Sequence, residues 1–341
     1  MTFSLRSFRS LARGLLLAGL LSSAAIGAQA QTTADQPGKG VKVYPLQSNI
    51  AEETFQALLV TKALEQLGYD VQPIREVEYT AAHLAIANGD ATFLASHWDR
   101  LHESFYQNSG GDAKLWREGI YSPGALQGYL IDKKTAEAHN ITHIGQLKDP
   151  AIAKLFDTDG DGKANLTGCN PGWGCEKAIE KHLDQFQLRG HIQHVQGNYS
   201  ALIADTITRY QQGQPVFYYT WTPYWVSNVM KPGKDVVWLE VPRVKPAKGE
   251  ESTALPNGKD YGFIVNNQHI MANRAFIEAN PAAARLFSVM KLPVANINTQ
   301  NMAMFNGANK RSDIEKHANG WIKAHQRLFD SWLDQARAAA R

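Results

Sequence analysis

Three tryptophans stand where side chains commonly meet ligands. Trp98 lies two residues beyond a β-forming run, Ala91–Ser96, and Trp221 directly follows another, Pro215–Thr220. In open α/β sheets ligands gather outside the carboxyl ends of strands, so these two indoles are expected to face each other across a cleft. The third, Trp173, sits in Cys169-Asn-Pro-Gly-Trp-Gly-Cys175. That loop is built of turn formers, and a large ring between two glycines there is presented to something rather than lost in a core. Indole faces hold cations that have no N–H to donate, at about 0.5–2 kcal/mol per contact. A trimethylammonium group is such a cation. Three contacts give a few kcal/mol, whereas micromolar binding needs about 8 kcal/mol, so the ligand must offer a second handle.

The same loop supplies its partner. The Gly174 and Cys175 amides open a helix predicted over Cys175–Phe186, and free N–H groups at the positive end of a helix form an anion site. His102, four residues after Trp98, shares its face if helix continues there, and then donates to the same anion. The residues together describe a site for a small zwitterion. Its cation lies among Trp98, Trp173 and Trp221, and its carboxylate on His102 and the amides of Gly174 and Cys175.

These residues need a frame. Residues 1–30 read as an export segment, with Arg6, Arg9 and Arg13 ahead of the apolar run Gly14–Gly27 and the small-x-small signal Ala28-Gln29-Ala30. Cleavage near Ala30 leaves 311 residues and removes three arginines from a chain of net charge +3. The mature protein is therefore near neutral, which does not suit nucleic acid. Its location is expected to be the periplasm. Cys169 and Cys175 are the only two cysteines. In an exported chain so closely spaced a pair reads as a disulfide, and the spacing is wrong for a redox C-x-x-C.

About 310 residues is more than one core usually covers. Strand, helix, strand, helix, strand over Val41–Ser96 is the pattern of a parallel sheet with helical crossovers, and a second such set follows Gly128–Asp132. Asn49 with Glu52 reads as a capping box for the first helix, and Pro45 as part of a loop. Ser312 with Glu315 reads as the cap of one long terminal helix carrying Ile314, Ala318, Ile322, Phe329 and Trp332. The fold class is α/β: a two-lobed binding protein, each lobe a mainly parallel sheet flanked by helices, with the ligand in the interlobe cleft. The expected lobes are 31–130 with 266–341, and 131–265. The stretch Arg243–Lys259 reads as an exposed loop.

Other chemistry was weighed on the same terms. Asp157, Asp159 and Asp161 imitate the start of a calcium loop, but Gly168 stands where a bidentate glutamate is required, so they read as an Asp/Gly turn and only a weak metal candidate. A disulfide-bonded cysteine is no nucleophile, and neither G-x-S-x-G nor H-E-x-x-H occurs. A non-enzymatic chain without a cofactor is expected.

Longer segments carry a family likeness. GDATF with the following Trp98 and His102, GYLIDKKTA, LKDPAIAKLFDTDGDGKANLTGCNPGWGCE, GQPVFYYTWTPYWVSN and NGWIKAHQ make the chain from about Gly38 onward resemble the periplasmic glycine betaine/proline betaine-binding proteins of ProU-type ABC transporters. The resemblance implies a betaine ligand, delivery to an ABC permease and its ATPase at the inner membrane, and a monomer. It further implies that Trp98, Trp173 and Trp221 box the quaternary ammonium, and that His102, Gly174 and Cys175 hold the carboxylate. His97 and the loop Arg243–Lys259 lie outside the matching segments. Choline, carnitine or another small zwitterion is the alternative ligand within the same class.

Overall fold

The computed structural model describes residues 36–242 and 251–341. The export segment 1–30, and residues 243–250 of the exposed loop, lie outside the described residues. No helix among the described residues is long and apolar enough to cross a membrane.

The first part of the chain forms β1 (Lys42–Val43), β2 (Pro45–Gln47), β3 (Asp70–Val71), β4 (Arg75–Glu76), β5 (Phe93–Trp98) and β6 (Leu115–Trp116). A long strand, β7 (Ser122–Asp132), leads into β8 (Ala164–Thr167), β9 (Ile192–Val195), β10 (Phe217–Thr222) and β11 (Val236–Trp238), and β12 (Asn266–Asn273) returns. Ten of these strands join in the order β4-β2-β5-β12-β7-β10-β8-β9, with β6 on β12 and β11 on β7. The wings are parallel, β4–β2–β5 on one side and β10–β8–β9 on the other. The returning strands are antiparallel: β12 pairs β5 and β7, and β7 pairs β10. This is an α/β fold of two wings connected through β7 and β12. The crossing is continuous, so the wings are joined along paired backbone rather than through a free linker.

Burial explains the elements. Every residue of β5 is buried, as expected of a strand covered on both faces by helices. One core, with Phe55, Leu59, Phe93, Phe287 and Trp332, lies under the helices Thr54–Gln66, Pro281–Val289 and Gln326–Ala339. The other runs from Leu46 and Phe105 to Ile179, Phe217 and Met230, and so spans both wings.

Several local expectations are corrected. Pro45 opens strand β2; a first strand residue tolerates the missing N–H. Trp98 and Trp221 lie within β5 and β10, not after them. The Asn49/Glu52 capping box does not form: the short 3-10 turn Ala51–Glu53 has no side-chain cap, and Asn49 Nδ2 donates instead to Glu78 Oε1 at 2.7 Å. The terminal helix is two helices, Arg311–Ala324 and Gln326–Ala339, broken at His325, and Ser312 lies inside the first rather than capping it. Trp321 and Trp332 still stack, with ring centres 6.0 Å apart.

Candidate functional site

One cavity between the wings is lined by every residue singled out for binding: Trp98, His102, Trp173, Gly174, Cys175 and Trp221. Trp98 and Trp221 arrive as the end of β5 and the penultimate residue of β10, which brings strands from the two wings to bear on one space. Trp173 arrives on the loop. Its ring stands edge-on to Trp221, with centres 6.0 Å apart at 75°. Tyr199 and Tyr224 back Trp221 at 4.6 and 4.4 Å. The positions of Trp173 and Trp221 are thus fixed by other rings before any ligand arrives.

The loop folds as its residues demand. Cys169 and Cys175 are disulfide-bonded, and Gly172 takes the left-handed backbone, φ +85°, that its turn requires. Asn170 Oδ1 accepts the Tyr199 amide at 2.8 Å, tying the loop to the helix Tyr199–Gln211. The helix Gly174–Gln185 starts directly after Trp173, and no side chain caps its first amides. Gly174 is needed for space. A Cβ there would sit 2.7 Å from the carbonyl oxygen of Leu101, so the absent side chain lets a loop of one wing close onto the other.

His102 follows a turn, not a continuing helix. The expected Trp98–His102 helix is absent because β5 ends at Trp98. The two residues meet all the same: His102 N donates to Trp98 O at 2.9 Å, and the Trp98 amide donates to His102 Nδ1 at 3.2 Å. Asn266 Oδ1 accepts the Arg100 and Leu101 amides at 3.0 and 2.8 Å and pins this turn to β12. With Nδ1 accepting, the neutral ring carries its proton on Nε2. Burial, and then the neighbouring His83, hold the His102 pKa well below its usual range, so neutral is the working form.

The cavity also holds groups the sequence did not single out for binding, among them Glu52, Glu53, Tyr79 and Asn301. Glu53 accepts from Ser48 N at 3.2 Å and Ser48 Oγ at 2.8 Å, and from the Tyr79 hydroxyl. Glu52 Oε1 accepts from Trp225 Nε1 at 2.9 Å, a bond between the wings. Burial raises both carboxyl pKa values. The only sequence signal for Glu52 was its place three residues after Asn49, which pointed to a cap and away from a ligand.

Among the described residues two clusters have ligand atoms close enough for a metal: His83, His97 and His102, and Asp157, Asp159 and Asp161. His83 and His97 are committed to a chain of hydrogen bonds. Arg117 Nη1 meets His97 Nε2 at 2.9 Å, His97 Nδ1 meets His83 Nε2 at 3.0 Å, and His83 Nδ1 meets the Tyr79 carbonyl at 2.6 Å. A guanidinium donor against one ring nitrogen leaves the other to carry a proton, and a second cation beside it is disfavoured. In the aspartate turn, Asp157 accepts the Gly160 and Gly162 amides at 2.7 and 2.9 Å, which is a self-contained Asp/Gly turn.

Two lobes joined by paired crossing strands, with an aromatic cavity between them, define a two-lobed substrate-binding protein of the periplasmic type. Solved structures have this fold. A lactococcal protein in its closed-liganded conformation complexed with glycine betaine aligns with TM-score 0.65 and 22% identity, covering 86% of this chain and 99% of its own. A choline-binding protein of an ABC transporter, in complex with choline, aligns with TM-score 0.68 and 18% identity, covering 88% and 96%. Sequence relatives are much nearer. The glycine betaine/proline betaine-binding periplasmic protein of Escherichia coli (strain K12) is 59% identical over 309 residues, 90% of this chain and 94% of the relative. The glycine betaine-binding periplasmic protein OusX of Dickeya dadantii (strain 3937) is 60% identical over 309 residues, 90% and 93%. A family model described as the substrate-binding domain of the ABC-type glycine betaine transport system matches residues 42–324. The chain belongs to that family.

Proposed function

We propose that the protein captures glycine betaine or proline betaine in the periplasm and delivers it to an ABC importer, as an osmoprotectant receptor without catalytic activity. The observation that carries this reading is that Trp98, Trp173 and Trp221 line the same cavity as His102 and the amides of Gly174 and Cys175. The quaternary ammonium lies among the indoles, where each face contributes about 0.5–2 kcal/mol. The carboxylate lies against the start of the helix Gly174–Gln185 and accepts from His102 Nε2–H. The lobes are 31–130 with 266–341, and 131–265. A ligand touching both favours their closed arrangement by its higher affinity for it, and the permease reads that shape. The export segment is removed near Ala30, and the mature receptor acts as a monomer with a membrane permease and its ATPase.

Choline fits less well. Choline lacks the carboxylate that Gly174, Cys175 and His102 are arranged to receive. Titration calorimetry, with tryptophan fluorescence in parallel, tests the reading. Glycine betaine is expected to bind with micromolar affinity and to perturb the indole emission. A response to a plain amino acid, with none to millimolar betaine, refutes it.

A further inference from the structure

The charge of the cavity is unexplained by the aromatic box. Two carboxylates, Glu52 and Glu53, line it, and among the described residues neither lysine nor arginine does. The other titratable groups packed around them are Tyr79, Tyr199, Tyr219, Tyr224 and His102. Burial holds the phenols up and the imidazole down, so none supplies a positive charge. One more acceptor, Asn301 Oδ1, is buried in the same lining without a hydrogen-bond partner; Asn301 itself is 1% exposed. Carboxylates taken out of water are costly unless a cation is near. Among the described residues no protein cation lines this cavity, so the positive charge open to these carboxylates is the ligand's own.

The two glutamates are not equivalent. Glu53 is saturated by Ser48 and Tyr79 within its own wing. Glu52 is only partly buried, and its donor, Trp225, comes from the opposite wing. A quaternary ammonium has no proton to share, but its charge reaches a nearby carboxylate through its methyl groups, and a low-dielectric cavity strengthens that attraction. We propose that Glu52 is the counter-charge of this cavity, facing the ligand's ammonium and making the site choose a cationic head over an uncharged head of the same shape. The inference rests on the betaine reading above. It assigns cation selectivity to a carboxylate in addition to the indoles. It also explains why a ligand carboxylate must be kept at the far end, on the helix amides.

The probe pair is glycine betaine and tert-butylacetate, in which a quaternary carbon replaces the nitrogen. Both are titrated calorimetrically into the unaltered protein, Glu52→Gln and Glu53→Gln, each checked by thermal melting. The unaltered protein is expected to bind betaine at least a hundredfold tighter than tert-butylacetate. Glu52→Gln keeps an acceptor for Trp225 Nε1 and is expected to shrink that ratio about tenfold or more, by weakening betaine and not the isostere. Glu53→Gln is expected to change the ratio less than threefold. Where Glu52→Gln does not fold, Glu52→Ala gives the same readout. A folded Glu52 variant that keeps the ratio within twofold overturns the inference and leaves the betaine reading standing. An unaltered protein that binds no betaine overturns both.

Discussion

His102→Asn separates two jobs that one imidazole performs. His102 Nδ1 accepts the Trp98 amide at 3.2 Å, and the ring is 1% exposed. In the proposed site its Nε2–H donates to the ligand carboxylate. Asparagine places Oδ1 where Nδ1 stands, so the amide keeps its acceptor, but nothing replaces Nε2–H. A hydrogen bond to a charged group is worth about 1.5–3 kcal/mol, and each 1.4 kcal/mol is tenfold in affinity. The variant is therefore expected to bind glycine betaine roughly 10- to 100-fold more weakly, while melting within about 2 °C of the unaltered protein. His102→Ala loses the ligand bond and also orphans the buried Trp98 amide. That costs about 1–3 kcal/mol of stability and lowers Tm by about 2 °C per kcal/mol. Calorimetry and thermal melting on the two variants read both quantities. Betaine binding by His102→Asn within twofold of the original refutes the role given to Nε2–H. Equal melting of the alanine and asparagine variants refutes the role given to Nδ1.

Trp221→Ala removes the wall that stands against Trp173, Tyr199 and Tyr224. A loss of about tenfold or more in betaine affinity is expected by calorimetry, since one cation–π contact and its packing go together. Gly174→Ala brings a methyl to within 2.7 Å of the Leu101 carbonyl; it is expected to weaken betaine at least tenfold by propping the lobes apart, with Tm nearly unchanged. Acid should destabilise the protein. Burial lowers the pKa of His83 and of His182 to about 4, and those of His97 and His102 well below the usual range. The unfolded chain then binds more protons below its own histidine pKa of about 6.5. Their contribution is complete above that pH and is lost as pH falls toward 4. Glu52 and Glu53, whose carboxyls are raised, act in the opposite sense and reduce the loss. Urea midpoints at pH 7 and pH 5 check this, a higher midpoint at pH 5 being the refuting result.

Much of the site was legible because its parts are local. The run Cys169–Cys175 contains its own turn formers, its own glycines and the start of its own helix, so consecutive residues are enough to present Trp173 and two free amides. Trp98 and Trp221 were legible as residues near strand ends. The exact ends were not, because β5 and β10 are extended through their tryptophans by partners elsewhere in the chain: β12 pairs Gln268 with Trp98, and β7 pairs Gln127 with Trp221. His102 was placed next to Trp98 by a helical spacing that does not form. A turn pinned by Asn266, 166 residues from Arg100, brings them together instead.

From the sequence alone came the class of ligand, since rings and amides at those positions have only a few uses. The tertiary structure decided which charged groups line the cavity. Glu52 meets Trp225 across 173 residues of chain, and locally it passes for a helix cap. A hydrogen bond within a turn depends on neighbours in sequence. The cost of burying a carboxylate depends on everything that surrounds it, and only the closed fold assembles those surroundings.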